Sequence, residues 1–300
     1  MAEHHFIKTP SGSIAYREQG SGPVALFVHG VIVNSYLWRR QLDALSAARR
    51  CISIDLMGHG ATRIDAKQNV SFEAQARMVA EVLDALGIDT VDLVANDSGT
   101  GIAQIFAVNY PDQLRSLVLT NGEVHDNWPP KDFSAFLDMV AAGGLGDTLR
   151  SMARDRARYR AADGLGGAYE HPENVPDETI DAYLSPFLGD PRRLHDLERF
   201  ILAFDNTQTV RIAAKLRKLD IPTPVVWGTC DIFFGVEWSR WLESTIPGVR
   251  ERRELQGARL FLPEERADEL NAAIKNFWAA HSDATSDQFL WKGTSHASAH

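Results

Sequence analysis

The chain has 300 residues, of which 44% are hydrophobic, enough for one large α/β domain carrying an insertion. Its formal net charge of -9, scattered along the sequence, argues against nucleic acid and anionic membranes as partners, and no apolar run is long enough to span a bilayer. Cys51 and Cys230 are the two cysteines and suggest no disulfide framework, so with no signal-like opening segment the expected setting is reduced and cytoplasmic.

In chain order, residues 6–9 and 13–19 read as a hairpin around Pro10-Ser11-Gly12, and 24–28 as a continuous apolar strand ending at His29-Gly30. Residues 36–47 read as a helix and 51–56 as a strand. Residues 71–86 form an amphipathic helix with Ser71 as its N-cap and Gly87 as its stop. A strand over 90–94, a helix over 99–110 and a strand over 116–120 follow. Short apolar strands alternating with helices predict an α/β fold with a mostly parallel sheet and helices on both faces. From Trp128-Pro129-Pro130 to about Ala213 the pattern holds helices and Gly-rich breaks but no strand, which reads as an inserted helical cap. Strands over 222–227 and 251–255 resume the sheet, and a helix over 263–280 with Pro263 in its first turn closes it. The expected division is a core of residues 1–127 and 214–281, a cap of 128–213, and a polar tail of 282–300 read as disordered, in which Phe289-Leu290-Trp291 could dock on the body.

Between the strand and the helix around Asp97 the chain must turn sharply. Ala95 and Gly99 flank Asp97 two positions away on either side, the small-x-nucleophile-x-small pattern of a nucleophile elbow. Small neighbours are needed there because strand and helix pack closely about a strained residue. A carboxylate in that place can attack an electrophilic carbon and form an ester. Two other readings compete: Asp97 as a cap on the helix N-terminus, and a frame shifted by one that makes Ser98 the nucleophile between Asn96 and Thr100. Ala95 and Gly99 suit the tight positions better than Asn96 and Thr100, which favours Asp97.

The chain resembles the α/β-hydrolase superfamily, and within it the aspartate-nucleophile branch of epoxide hydrolases and haloalkane dehalogenases. The resemblance spans roughly residues 6–280. It rests on Leu26-Phe27-Val28-His29-Gly30, Ser35-Tyr36-Leu37-Trp38-Arg39, Asp55-Leu56-Met57-Gly58-His59-Gly60, the elbow, and Val226-Trp227-Gly228-Thr229-Cys230-Asp231, in that order and spacing. It implies that Asp97, the His29-Gly30 turn, the 121–125 segment and Asp231 meet in one pocket beneath the cap, at the carboxyl ends of the strands. The backbone amides of Val31 and Ser98 would form the oxyanion hole. Asp231 would be the acid that orients a catalytic histidine; its plainer reading is a turn aspartate. His29 would hold its loop. Asn34, Trp38, Glu123, His125 and Tyr183 are further pocket candidates, Trp38 being equally a core residue.

The chain departs from this pattern where the histidine should stand. The matching segment is Glu254-Leu255-Gln256-Gly257-Ala258-Arg259-Leu260-Phe261, with Leu260 at the histidine position, and no histidine occurs between His195 and His281. An aspartyl ester forms without a base, but its hydrolysis needs activated water. His125 is the nearest alternative by sequence placement. The dehalogenases carry Asn and Trp where Val31 and Ser98 stand, so halide stabilisation is lacking; the epoxide hydrolases carry Pro where Ile32 stands and use two cap tyrosines as acids, for which Tyr159, Tyr169 and Tyr183 are available. Metal-ligand spacing and dinucleotide-type glycine loops are not found, so no metal and no cofactor are expected. The expected partner is a small-molecule substrate, with a homodimer left open. The leading expectation is a hydrolase acting through Asp97 on a small apolar electrophile, epoxide opening above all. The alternatives are acid–base catalysis by Asp97 without a covalent step, as in a lyase, isomerase or cyclase, and a non-catalytic ligand-binding protein on a hydrolase scaffold.

Overall fold

The computed structural model describes residues 4–130 and 133–281; the predicted tail, with Phe289-Leu290-Trp291, lies outside them. The strands are β1 (His5–Thr9), β2 (Gly12–Gln19), β3 (Val24–Val28), β4 (Arg50–Ile54), β5 (Val91–Asp97), β6 (Leu114–Gly122), β7 (Thr223–Gly228) and β8 (Val249–Leu255). Among the described residues they form one eight-stranded sheet in the order β1-β2-β4-β3-β5-β6-β7-β8. The β1–β2 and β2–β4 pairs are antiparallel and the rest are parallel.

Composition follows position in the sheet. β3 and β5 lie at its centre and are buried along their whole length; β3 is apolar throughout, and β5 is apolar but for Asp92, which pairs with Arg49 and Arg115, until Asn96 and Asp97. β1 and β8 are the edges; β8 alternates Arg and Glu, which blunts an edge against further strand pairing.

The helices flanking the sheet are α1 (Arg39–Leu45), α2 (Phe72–Leu86) and α3 (Ser98–Asn109). Ser71 caps α2 by accepting from the Ala74 amide at 3.3 Å. The segment between β6 and β7 is helical, with α4 (Ser134–Ala141), α5 (Leu145–Arg154), α6 (Arg156–Arg160), α7 (Asp177–Gly189), α8 (Pro191–Leu202), α9 (Thr207–Val210) and α10 (Ala213–Leu216), and contains no strand among its described residues. α11 (Glu237–Thr245), which the sequence reading did not anticipate, joins β7 to β8.

The closing helix is not the single rod expected over 263–280. It is split into α12 (Leu262–Glu265) and α13 (Ala267–Ala280) at Arg266. The Arg266 guanidinium forms a two-pronged bond to Glu170, at 2.8 and 2.7 Å, and Glu265 accepts from the amides of Glu170 and His171. Contact with the helical insertion therefore turns the chain where local propensity would continue it.

The strand order reverses direction at β3: its successor β4 lies on one side and β5 on the other. Such a switch point opens a crevice at the carboxyl ends of the two central strands. The β3 end carries Val31 and the β5 end carries Asp97.

Candidate active site

Asp97 is the last residue of β5 and the N-cap of α3, with φ 58° and ψ -132°, a backbone conformation rarely adopted by residues with side chains. Strain of this kind costs about 1–3 kcal/mol and persists only where the surroundings enforce it. Two glycines show the enforcement. A Cβ on Gly99 would stand 2.3 Å from the Val28 carbonyl oxygen, and one on Gly30 would stand 2.1 Å from Asp97 Oδ2. Gly30 leaves space for the carboxylate, and Gly99 lets α3 start against the end of β3. The Val31 amide donates to Asp97 Oδ2 at 3.0 Å.

Three carboxyl groups gather here. Burial pushes Asp97 up from 3.8 to about 7; the amides of Val31 and Ser98 work against that rise and the charge of Asp231 adds to it. Burial, followed by the charge of Asp97, holds Glu123 well above the usual carboxylate range. Glu123 Oε1 accepts from Ser98 Oγ at 2.9 Å, and its Oε2 is buried without a hydrogen-bond partner among the described residues. Burial also raises Asp231 to about 7, against the Phe233 and Phe234 amides that donate to its Oδ1 at 2.8 and 3.2 Å. Its Oδ2 is buried and unpartnered among the described residues; Asn121 only tempers it, since the Asn121 amide is engaged with the Gly228 peptide at 3.1 and 2.6 Å.

Asp97 and Glu123 border a cavity of about 460 Å³. Val31, Ile32 and Leu260 line it from the sheet side, Phe133, Phe136, Met139, Leu149 and Met152 from the insertion, and Phe233 and Phe234 from the loop after β7. A room with this wall favours an apolar ligand, oriented by few polar groups.

Of the residues singled out from sequence, Val31, Asp97, Glu123 and Leu260 share this wall; the Ser98 amide and Asp231 act on Asp97 from behind it. Five others do not line the cavity. His29 is fully buried, with Nδ1 at 2.7 Å from the Gly30 carbonyl and Nε2 accepting from the Leu56 amide at 3.0 Å; burial lowers it to about 4. Asn34 bridges to α7 through the Ala182 carbonyl at 2.7 Å. Trp38 is core, its ring 5.3 Å from that of Phe27. His125 pairs with Asp126 and rests against Trp241. Tyr183 donates to Glu264 at 2.8 Å, as does Tyr169, whose hydroxyl lies 3.3 Å from that of Tyr159.

Two structural residues were not read from the sequence. Glu264 pairs with Arg39 and accepts both tyrosine hydroxyls, tying the insertion to the core. Asn96 Nδ2 donates to Thr120 Oγ1 at 2.8 Å, to the Asn121 carbonyl at 3.3 Å and to the Leu260 carbonyl at 2.9 Å. Asn96 carried a signal: a polar residue in a central strand buried along its whole length must find partners. Glu264 carried none, because a Glu after Pro in a first helical turn is ordinary.

Residues 23–265 match the family described as alpha/beta hydrolase fold. The chain belongs to that family. It is 36% identical to an epoxide hydrolase of Caballeronia sordidicola, over 90% of this chain and 92% of that protein. It is 26% identical to haloalkane dehalogenase 2 of Mycobacterium tuberculosis, over 91% and 93% of the two chains. In structure it is similar to the epoxide hydrolase CorEH without ligand, with a TM-score of 0.77 at 19% identity over 93% of this chain and 99% of that one. The family member described here is thus epoxide hydrolase- and dehalogenase-like. No described helix is long and apolar enough to cross a membrane.

Proposed function

We propose that this α/β-hydrolase-fold protein is an enzyme that opens a small, mostly apolar epoxide through a covalent ester at Asp97. The observation that carries the reading is the Asp97 carboxylate itself, held in a strained turn by the Val31 amide at 3.0 Å and bordering an apolar cavity. An Asp97 oxygen attacks a ring carbon and the ring oxygen departs; the amides of Val31 and Ser98 then stabilise the oxyanion formed when water attacks the ester carbonyl. The helical insertion acts as the cap that supplies most of the apolar wall. An epoxide is favoured over a haloalkane because it needs no halide cradle, and neither Val31 nor Ser98 matches the halide-binding residues of the dehalogenases. Asp231 and Leu260 together take the place of an acid–histidine pair without the base.

A second reading has its own support. Burial lifts the Asp97 carboxyl to about 7, the value of a proton-transfer group working near neutrality. On that reading Asp97 moves a proton and never forms an ester.

Intact-protein mass after incubation with a panel of small epoxides, haloalkanes and esters separates the two. The covalent reading expects an adduct of one epoxide that maps to Asp97 and is missing from Asp97→Asn. Turnover that depends on Asp97 with no adduct at any time point supports proton transfer instead.

A further inference from the structure

We propose that Glu123 serves as the acid of the first half-reaction and the base of the second, doing the work that a tyrosine and a histidine would otherwise share. The inference rests on the covalent reading of Asp97. Glu123 borders the same cavity as Asp97, on the first residues after β6. Its carboxyl is held from one side, where Oε1 accepts from Ser98 Oγ at 2.9 Å, and its main-chain carbonyl accepts from Gln104 Nε2 at 2.8 Å. Oε2 is buried with no partner among the described residues, an oxygen free to carry or take a proton. The competing groups are engaged elsewhere: Tyr169 and Tyr183 with Glu264, Tyr159 with Tyr169, and His125 with Asp126. Position 260 is leucine. Among the described residues, Asp163 is the other ionisable side chain on the wall, and it is exposed.

Charge balance favours this division of labour. Two buried carboxyls that feel each other hold one proton between them, so Glu123 is the acid while Asp97 is the carboxylate. Asp97 oxygen bonds to the ring carbon, the carbon–oxygen bond of the ring breaks, and the released oxygen takes the Glu123 proton. Esterification removes the charge of Asp97, leaving Glu123 as the carboxylate. Glu123 then takes a proton from water as the water oxygen adds to the ester carbonyl. The tetrahedral species collapses, the diol oxygen leaves with the proton returned by Glu123, and Asp97 passes its new proton to Glu123. One negative charge is present at every stage. A single carboxyl serving as acid and then base is the logic of retaining glycosidases.

The test uses styrene oxide and 1,2-epoxyhexane with the full chain, Glu123→Gln, Glu123→Asp and Asp97→Asn, reading product, intact mass and, in H₂¹⁸O, label in the Asp97 peptide. Wild type is expected to turn over and place ¹⁸O in Asp97. Glu123→Gln is expected to form ester more slowly, to keep it, and to lose about 100-fold or more in turnover; Glu123→Asp is expected to recover part of the rate. A merely structural glutamate would not leave a persistent ester. If Glu123→Gln unfolds, the Glu123→Asp variant decides the matter through its slowed ester decay, and decay at the wild-type rate overturns the proposal. Glu123→Gln turnover within about threefold of wild type, with Asp97→Asn dead, overturns the role of Glu123 alone. So does a wild-type ester that never hydrolyses. No ester and no product in any variant overturns the covalent reading itself.

Discussion

The Tyr183 hydroxyl donates to Glu264 Oε1 at 2.8 Å, and the bond fixes that ring at the seam between the insertion and the sheet, not on the cavity wall. Tyr169 occupies the other Glu264 oxygen and Arg39 neutralises the charge. The tyrosines of the insertion are thus spent on attachment. Tyr183→Phe should leave the rate of Asp97 ester formation within about twofold of wild type, whereas a tyrosine acid would be worth at least about 100-fold. Quenched mass spectrometry against an epoxide decides between these values.

Glu264→Gln breaks a mostly buried ion pair and should cost stability of about 3 kcal/mol, read in a urea titration. The chemistry at Asp97 should survive in the folded fraction. Loss of ester formation without loss of stability would mean that Glu264 does more than hold the two parts together.

Ester formation needs the Asp97 carboxylate, and burial sets that group at about 7. The rate should rise with pH through about 7 as Asp97 ionises and fall again where Glu123, the acid of that step, loses its proton, measured from pH 5 upward. A flat profile would remove the ionisation from the rate-limiting step.

The same burial has a stability signature of opposite sense. Asp97 and Asp231 lie above their ordinary 3.8, so between about 4 and 7 the folded chain binds more protons than the unfolded one. Their burial is uncostly at low pH, and stability is lost as pH rises through that window. Asp97→Asn should therefore raise the thermal midpoint more at pH 8 than at pH 5. Each comparison is made at one pH, because His29 and His59, lowered by burial, destabilise the fold in acid in both proteins. An equal gain at both values would mean that Asp97 is not held protonated.

Leu260→His would set an imidazole on the cavity wall, and Asp231 Oδ2, buried without a hydrogen-bond partner among the described residues, is the expected acceptor for it. In the Glu123→Gln background, where ester is expected to persist, it should speed ester decay by about 10-fold or more. Adding Asp231→Asn should remove most of the gain, and Leu260→Phe should give none.

Legibility followed the range of the forces. β3 and β5 could be read because a strand buried on both faces needs a largely apolar run, and the turn at Asp97 because the close approach of α3 to the end of β3 leaves no room for a side chain at 99. The same logic gave Ser71 its capping role before α2. What escaped was set at long range. Arg266 interrupts a good helix because Glu170, far off in sequence, meets it. Tyr183 and His125 looked available because a sequence shows which groups exist, not which are already engaged by Glu264 and Asp126. Glu123 could be read as a pocket candidate, whereas its bond from the Ser98 hydroxyl could not.

The three bonds of the Asn96 amide have a consequence for position 260. One of them holds the main chain there, so β5 anchors that loop independently of the packing of the buried Leu260 side chain. Because that bond is made to a main-chain carbonyl, a substitution such as Leu260→His does not remove its acceptor. The side chain displayed at residue 260 can thus be exchanged while its peptide stays tied to the central strand.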